Sequence, residues 1–330
     1  MRIVDAHTHL SGPDSGESAA GILECMDAND VEKAFIIAPL LDVRSFHLTD
    51  ANLDDIRAHN NYCAAICSAA PDRLLALSVL NPAPALANGS ADRAADLMIA
   101  EAERVYRELG LRGVKLVPAG WYPYDPPVVR LYNALRDLGM YVLFHVGIFA
   151  DGLEGRFCRP AFYEAVHEVP GLRAQLAHAG WPWVDECIAV LEMERQIHGD
   201  DPSAWQLRVD LSFGPPSDWQ LSSWQHAIDA LPPGMLCYGS DVFWPCTAER
   251  YREQYLRPQL GLFEVAANQS HLVPEGDPKR ASVREQIFYQ NAWDHWRAGA
   301  SNPQQPRRVE GSSSDPTTRR SGVMNLWPQG

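Results

Sequence analysis

Two histidines stand two residues apart near the amino terminus, in Asp5-Ala6-His7-Thr8-His9. In an extended strand, residues two apart point to the same face, so the two imidazoles can converge on one point. Further along, Phe144-His145, Ala177-His178 and Ser240-Asp241 each end a short apolar run with a residue able to bind a cation or move a proton. A third imidazole and a carboxylate beside the first pair would complete a mixed nitrogen and oxygen shell suited to Zn²⁺ or a similar divalent metal. Such a cation acidifies water and polarises a carbonyl oxygen. An H-x-H pair alone is weak evidence. Five ionisable groups at the ends of four runs, each costly to bury without partners, are strong evidence.

These residues can meet only if the runs are strands of one sheet. The apolar runs cover 2–9, 33–39, 73–80, 112–118, 140–147, 173–180, 206–213 and 235–242, with starts 28 to 40 residues apart. Each gap has room for a strand, a helix and two loops, the spacing of parallel βαβ units. Helical segments are predicted at 52–70, 91–109, 128–138, 161–169, 183–198 and 218–231. Pro127 and Pro160 sit at first-turn positions, and Gly110, Gly139 and Gly171 lie just past helix ends. Eight strand–helix units in this length match a (β/α)8 TIM barrel, whose chemistry gathers at the carboxyl ends of the strands. The rival, an open doubly wound sheet, is favoured by a glycine-rich turn after the first strand; His7-Thr8-His9-Leu10-Ser11 has none.

Taken together, Asp5-Ala6-His7-Thr8-His9, Gly113-Val114-Lys115-Leu116-Val117-Pro118, Phe144-His145-Val146-Gly147, Ala177-His178-Ala179-Gly180-Trp181-Pro182 and Tyr238-Gly239-Ser240-Asp241 resemble the amidohydrolase superfamily. They are most similar to its amidohydrolase-related branch, which includes α-amino-β-carboxymuconate-ε-semialdehyde decarboxylase and related lactone hydrolases. The resemblance spans about residues 2–298 and ends at Gln290-Asn291-Ala292. It implies a metal-dependent barrel over 1–298, with one divalent ion, Zn²⁺, ligated by His7, His9, His145 and Asp241. His178 matches a histidine that sits beside the metal and moves protons or polarises substrate, and that in two-metal relatives is a ligand. Asp241 matches a group that also serves as a general base. Lys115 lies where two-metal members carry a bridging carbamate. Its Gly-Val-Lys-Leu-x-Pro setting resembles the one-metal branch, where the ammonium instead attracts a substrate carboxylate or pairs within the barrel.

The reaction implied first is hydrolysis of a small carbonyl compound, a lactone, ester or amide, with His178 and Asp241 catalytic. The alternative is non-oxidative decarboxylation of a small unsaturated or aromatic acid. A third reading is a barrel that binds a ligand without turnover. For substrate binding, Arg44, Arg156 and Arg159 lie in loops at the presumed open face and can grip a carboxylate. Trp121, Trp181 and Trp244, with Tyr122, Tyr124, Phe149, Trp183 and Phe243, can wall a flat substrate. Asp5, two residues before His7, is expected on the same face, orienting a ligand from behind. The seven remaining histidines, His295 among them, read as surface or capping residues, and Cys63 and Cys67 as core packing.

Composition agrees. The 330 residues are 46% hydrophobic, enough for a substantial core. Lysine and arginine number 28 against 42 aspartates and glutamates, a net charge of −14 that repels phosphate backbones, so no nucleic-acid partner is expected. The apolar runs fall short of the roughly 20 residues of a membrane span. Met1-Arg2 passes straight into strand-like sequence, so no secretory leader is expected. With seven cysteines, reduced thiols and a cytoplasmic location are expected. The partner expected is a small-molecule substrate, with a homodimer as one assembly open to the chain. Residues 299–330, rich in Ser, Pro, Gln, Arg and Gly, are expected to form a disordered tail.

Overall fold

In a computed structural model of the chain, the described residues are 1–40, 47–48, 53–82, 91–148, 155–214, 216–270, 276–277 and 279–300. Seven strands follow one another as Ile3–Leu10, Val31–Ile37, Leu74–Val79, Gly113–Leu116, Tyr141–Phe144, Arg173–Leu176 and Leu207–Asp210. Each pairs in parallel with the next. The eighth run is split. Leu236–Cys237 pairs with the seventh strand and Val242–Trp244 with the first, so the sheet returns on itself. Two backbone bonds complete the seam: Ala6 N donates to Tyr238 O at 3.1 Å and Asp241 N to His7 O at 2.8 Å. The (β/α)8 TIM barrel expected from the spacing is therefore the fold.

Gly239 lies in that split, where an added Cβ would fall 2.9 Å from the Cβ of His7. Only glycine lets the first and eighth strands approach so closely. The helices Leu53–Cys67, Ala91–Arg107, Pro126–Leu138, Val184–His198 and Ser217–Ala230 stand where the sequence predicts them. A further helix, Ala19–Asp27, follows the first strand, capped by the Ser18 side chain accepting from Gly21 N. Between the fifth and sixth strands the predicted helix is a 3₁₀ segment, Pro160–Glu168.

The closing helix Asn291–Ala300 seals the amino ends of the strands. Trp296 packs on Phe35 at 4.9 Å and Tyr141 at 5.5 Å between ring centroids. His295, expected at the surface, is buried there and donates through Nε2 to Ala174 O at 3.1 Å. An apolar plug needs a flat, partnered ring beneath the sixth strand, which a solvated histidine would not supply. The tail assigned to 299–330 lies outside the described residues beyond Ala300, as does Arg44. No helix among the described residues is long and apolar enough to cross a membrane.

One buried ion pair ties helix to sheet. Glu101 is fully buried and accepts from Arg104, Arg57 and Asn60, while Asn60 also bonds both backbone groups of Val79. Burial raises the Glu101 pKa, but these hydrogen bonds, Arg104 first, outweigh it and hold the carboxyl below its ordinary value. Its stabilisation is thus present above the unfolded carboxyl pKa of about 4.3 and lost as pH falls through the folded value. Glu101→Ala should cost about 3–5 kcal/mol, read by urea unfolding at pH 7, because it strands the partners of a buried pair.

Candidate metal centre

His7 and His9 reach the interior near the carboxyl end of the first strand. Asp5 does not accompany them. The pairing with the second strand slips between Asp5 and Thr8, where three residues oppose two. Such a bulge re-aims side chains, so the expectation that Asp5 shares a face with His7 is corrected. Its carboxylate accepts from Ser240 N at 2.8 Å, the Tyr251 hydroxyl at 2.7 Å and the backbone N–H of His7 at 3.3 Å. Asp5 therefore braces the split in the eighth strand that carries Asp241. The backbone of Asp241 is left-handed, with φ of 59°, as are His178 at 60° and Ala179 at 50°. Strained non-glycine conformations gather at functional sites.

Three ligand atoms from these elements meet. His7 Nε2 lies 3.1 Å from His9 Nε2, and Asp241 Oδ1 lies 3.4 Å from the former and 3.1 Å from the latter. These separations suit ligands sharing one cation at about 2.0–2.2 Å. Ring orientation agrees. His7 Nδ1 is 3.2 Å from Asp210 Oδ2, an ionised acceptor, so Nδ1 carries the proton and Nε2 presents its lone pair. The residues present fit a divalent metal, and His7, His9 and Asp241 form a group able to hold one. His7, His178 and Asp210 form a second close group, but its contacts are the hydrogen bonds described below. His145 joins neither group. Its ring packs edge-on against His178, with centroids 5.1 Å apart, and its carbonyl accepts from the Tyr163 hydroxyl.

Asp210, at the end of the seventh strand, organises both imidazoles. One oxygen accepts from His178 N at 3.0 Å, from Ser212 N at 3.1 Å and from the Ser212 hydroxyl. The other accepts from His7 Nδ1 and from Gln175 Nε2 at 2.6 Å. Ser212 has one hydroxyl proton and gives it to Asp210, so its oxygen accepts from His178 Nδ1 at 2.8 Å. His178 is thereby the Nδ1–H tautomer, with a lone pair on Nε2. Gly214 is needed alongside, since an added Cβ would stand 2.6 Å from the His178 ring.

Burial dominates the electrostatics. It pushes the His178 pKa down to about 4, against the pull of Asp241. It pushes Lys115 down to about 8, against Asp241 and Asp210. The Lys115 ammonium, fully inside the barrel, sits 3.0 Å from His7 Nε2. Burial would raise Asp241 and Asp210, but in acid, where His7 and then His178 take up protons, attraction to His7 and next to His178 holds both well below the usual carboxylate range. At neutral pH the site therefore contains two carboxylates, an ammonium and neutral imidazoles.

The residues assigned to substrate binding fare unevenly. Trp244 is corrected: it is buried, and its indole donates to Thr8 Oγ1 at 3.1 Å, behind the strand face that carries His7 and His9. Alternation brings Phe243 forward in its place, stacked on His9 at 4.5 Å and half exposed. Arg159 is also corrected, since Glu186 already holds its guanidinium, which lies over Trp183. Arg156 is exposed over Phe157. Trp121 and Trp181 each keep a buried indole N–H with no hydrogen-bond partner among the described residues. Tyr122 and Tyr124 stack on each other and meet Phe162 of the 3₁₀ segment edge-on, as packing between segments. Sequence reasoning missed Asp210, Ser212, Gln175 and Tyr141. The available signal was position: Asp210 closes the seventh strand, and Asp241 ends the eighth apolar run of the sequence.

Several solved structures share the fold. A 5-carboxyvanillate decarboxylase from Sphingomonas paucimobilis is similar at 15% identity and a TM-score of 0.57, over 90% of this chain and 99% of its own. A dihydroxybenzoic acid decarboxylase from Polaromonas sp., solved with bound manganese, matches at 13% identity and 0.58, over 90% and 97%. A probable 2-pyrone-4,6-dicarboxylic acid hydrolase from Acinetobacter baumannii matches at 14% identity and 0.50, over 90% and 99%. A search of curated proteins gave no match. The amidohydrolase family model matches residues 4–297, nearly the whole chain, which therefore belongs to the amidohydrolase family.

Proposed function

We propose that the protein is a metal-dependent hydrolase of a small carbonyl compound, a lactone, ester or amide. In this reading Zn²⁺ is held by His7, His9 and Asp241 with His145 alongside them, and His178 is the proton acceptor. The bound cation would supply Lewis acidity toward water and the substrate carbonyl. The observation that carries the reading is the state of His178. Asp210 and Ser212 fix its tautomer, and burial keeps it uncharged at pH 7. A neutral imidazole with its lone pair on Nε2, its ring 5.1 Å from those of His7 and His145, takes a proton from water, and hydrolysis begins with that step. The proton then passes to the departing oxygen or nitrogen, so hydrolysis leaves His178 as it began. Phe243, stacked on His9, covers one side of that ring.

Decarboxylation is the second reading. It is favoured by Lys115, whose ammonium can neutralise a substrate carboxylate, and by the names of two of the similar structures. Decarboxylation, however, needs a proton delivered to carbon, and His178 carries no spare proton at pH 7. Turnover of a panel of lactones, esters, amides and unsaturated acids in ¹⁸O-labelled water separates the two. The expected product carries one ¹⁸O and no carbon dioxide is released. Carbon dioxide release without ¹⁸O uptake would overturn the hydrolase reading.

A further inference from the structure

The interior of a (β/α)8 barrel is ordinarily filled by branched apolar side chains. Beneath this site it is not. Gln175, on the sixth strand and wholly buried, spends its amide on two acceptors and one donor. Nε2 donates to Asp210 Oδ2 at 2.6 Å and to Ala6 O at 3.2 Å, while Oε1 accepts from the Tyr141 hydroxyl at 2.6 Å. These contacts leave one amide orientation. Turned over, the amide would set Oε1 against a carboxylate and a carbonyl, and its NH₂ against a hydroxyl. Tyr141 is buried at the start of the fifth strand, with its ring lodged against His295 and Trp296 of the closing helix. An unbroken polar path thus rises from the barrel floor through Tyr141, Gln175 and Asp210 to His7.

We propose that Tyr141 and Gln175 are positioning residues, a buried strut that acts through Asp210 to hold His7 with Nε2 turned toward His9 and Asp241. This rests on the metal-site reading above only for its consequence, tight cation binding; the strut itself is a claim about His7. A buried amide that could be replaced by leucine without loss would be an odd tenant of a barrel core, because its polar atoms are costly unless all are satisfied. Partners behind a ligating histidine are worth roughly 10–100-fold in metal affinity.

The test uses Gln175→Leu and Tyr141→Phe in the full chain, with two readouts. Zn²⁺ affinity is measured by chelator competition, and the His7 tautomer by ¹⁵N NMR of the metal-free protein. The expected result is affinity weaker by roughly 10–100-fold, with His7 changing from a single Nδ1–H tautomer to a mixture. Packing damage alone would lower the melting temperature but leave the tautomer fixed. Wild-type affinity together with an unchanged tautomer in both variants would overturn the proposal. If wild type itself binds no Zn²⁺, the metal reading fails, and the His7 tautomer alone decides the strut. If Gln175→Leu does not fold, Tyr141→Phe decides, since it removes a single oxygen and leaves the buried Gln175 Oε1 without the donor that braces it.

Discussion

His178→Asn should lower kcat by roughly 10²–10⁴-fold, the usual worth of a positioned proton acceptor, while leaving metal content unchanged. Asparagine can still donate to the Ser212 oxygen through its amide, so the surrounding network survives, but it has no basic nitrogen to take up a proton. The pH profile carries the same signature. Burial, the largest influence, holds the imidazole at about 4, so the rate should stay level on the acid side until pH nears that value. A solvated histidine would already cut the rate below about 6.5. Stability follows the same linkage. The unfolded chain binds the proton first, so the contribution of this group is present above about 6.5 and lost as pH falls toward the folded value. Metal lost together with turnover would move His178 from proton acceptor to ligand, and a rate that breaks near pH 6.5 would contradict the depressed value that burial gives it.

Asp241→Ala should abolish turnover by emptying the site of its cation. Asp241 supplies the carboxylate of the three-atom group and is the negative charge that His7, His9 and Lys115 all face. Without it, two imidazoles and an ammonium crowd one point with no anion between them. Metal addition is the sensitive readout. A ligand present at 100 times its dissociation constant stabilises the folded state by about 2.7 kcal/mol, so wild type should gain several degrees in melting temperature with Zn²⁺. The variant should gain none. An equal gain in both would mean that the cation is held elsewhere.

Much of this site was legible before any coordinates. The H-x-H pair, His178 and Asp241 each end an apolar run, and parallel strands at barrel spacing bring such ends to one rim. What stayed hidden depends on geometry that residue types do not encode. Asp5 reads as a neighbour of His7 by simple alternation, yet the bulge before Thr8 turns it to Ser240 and Tyr251. Trp244 reads as an open-face aromatic, yet it belongs to the second half of a split strand and alternates away from the site to Thr8. Arg159 reads as a free cation because Glu186 is 27 residues away in sequence. Asp210 is hidden for another reason: one carboxylate at a strand end is unremarkable until its two oxygens are seen to hold two different imidazoles. His145 was expected beside the first pair and is found against His178.

The central claim is that the first-strand imidazoles and Asp241 hold one divalent ion. Elemental analysis of the purified chain after equilibration with Zn²⁺ and gel filtration tests it most directly, with His9→Ala treated in parallel. The account predicts one equivalent of metal per wild-type chain and essentially none in the variant. A wild-type chain free of metal, or a variant that keeps a full equivalent, would contradict it.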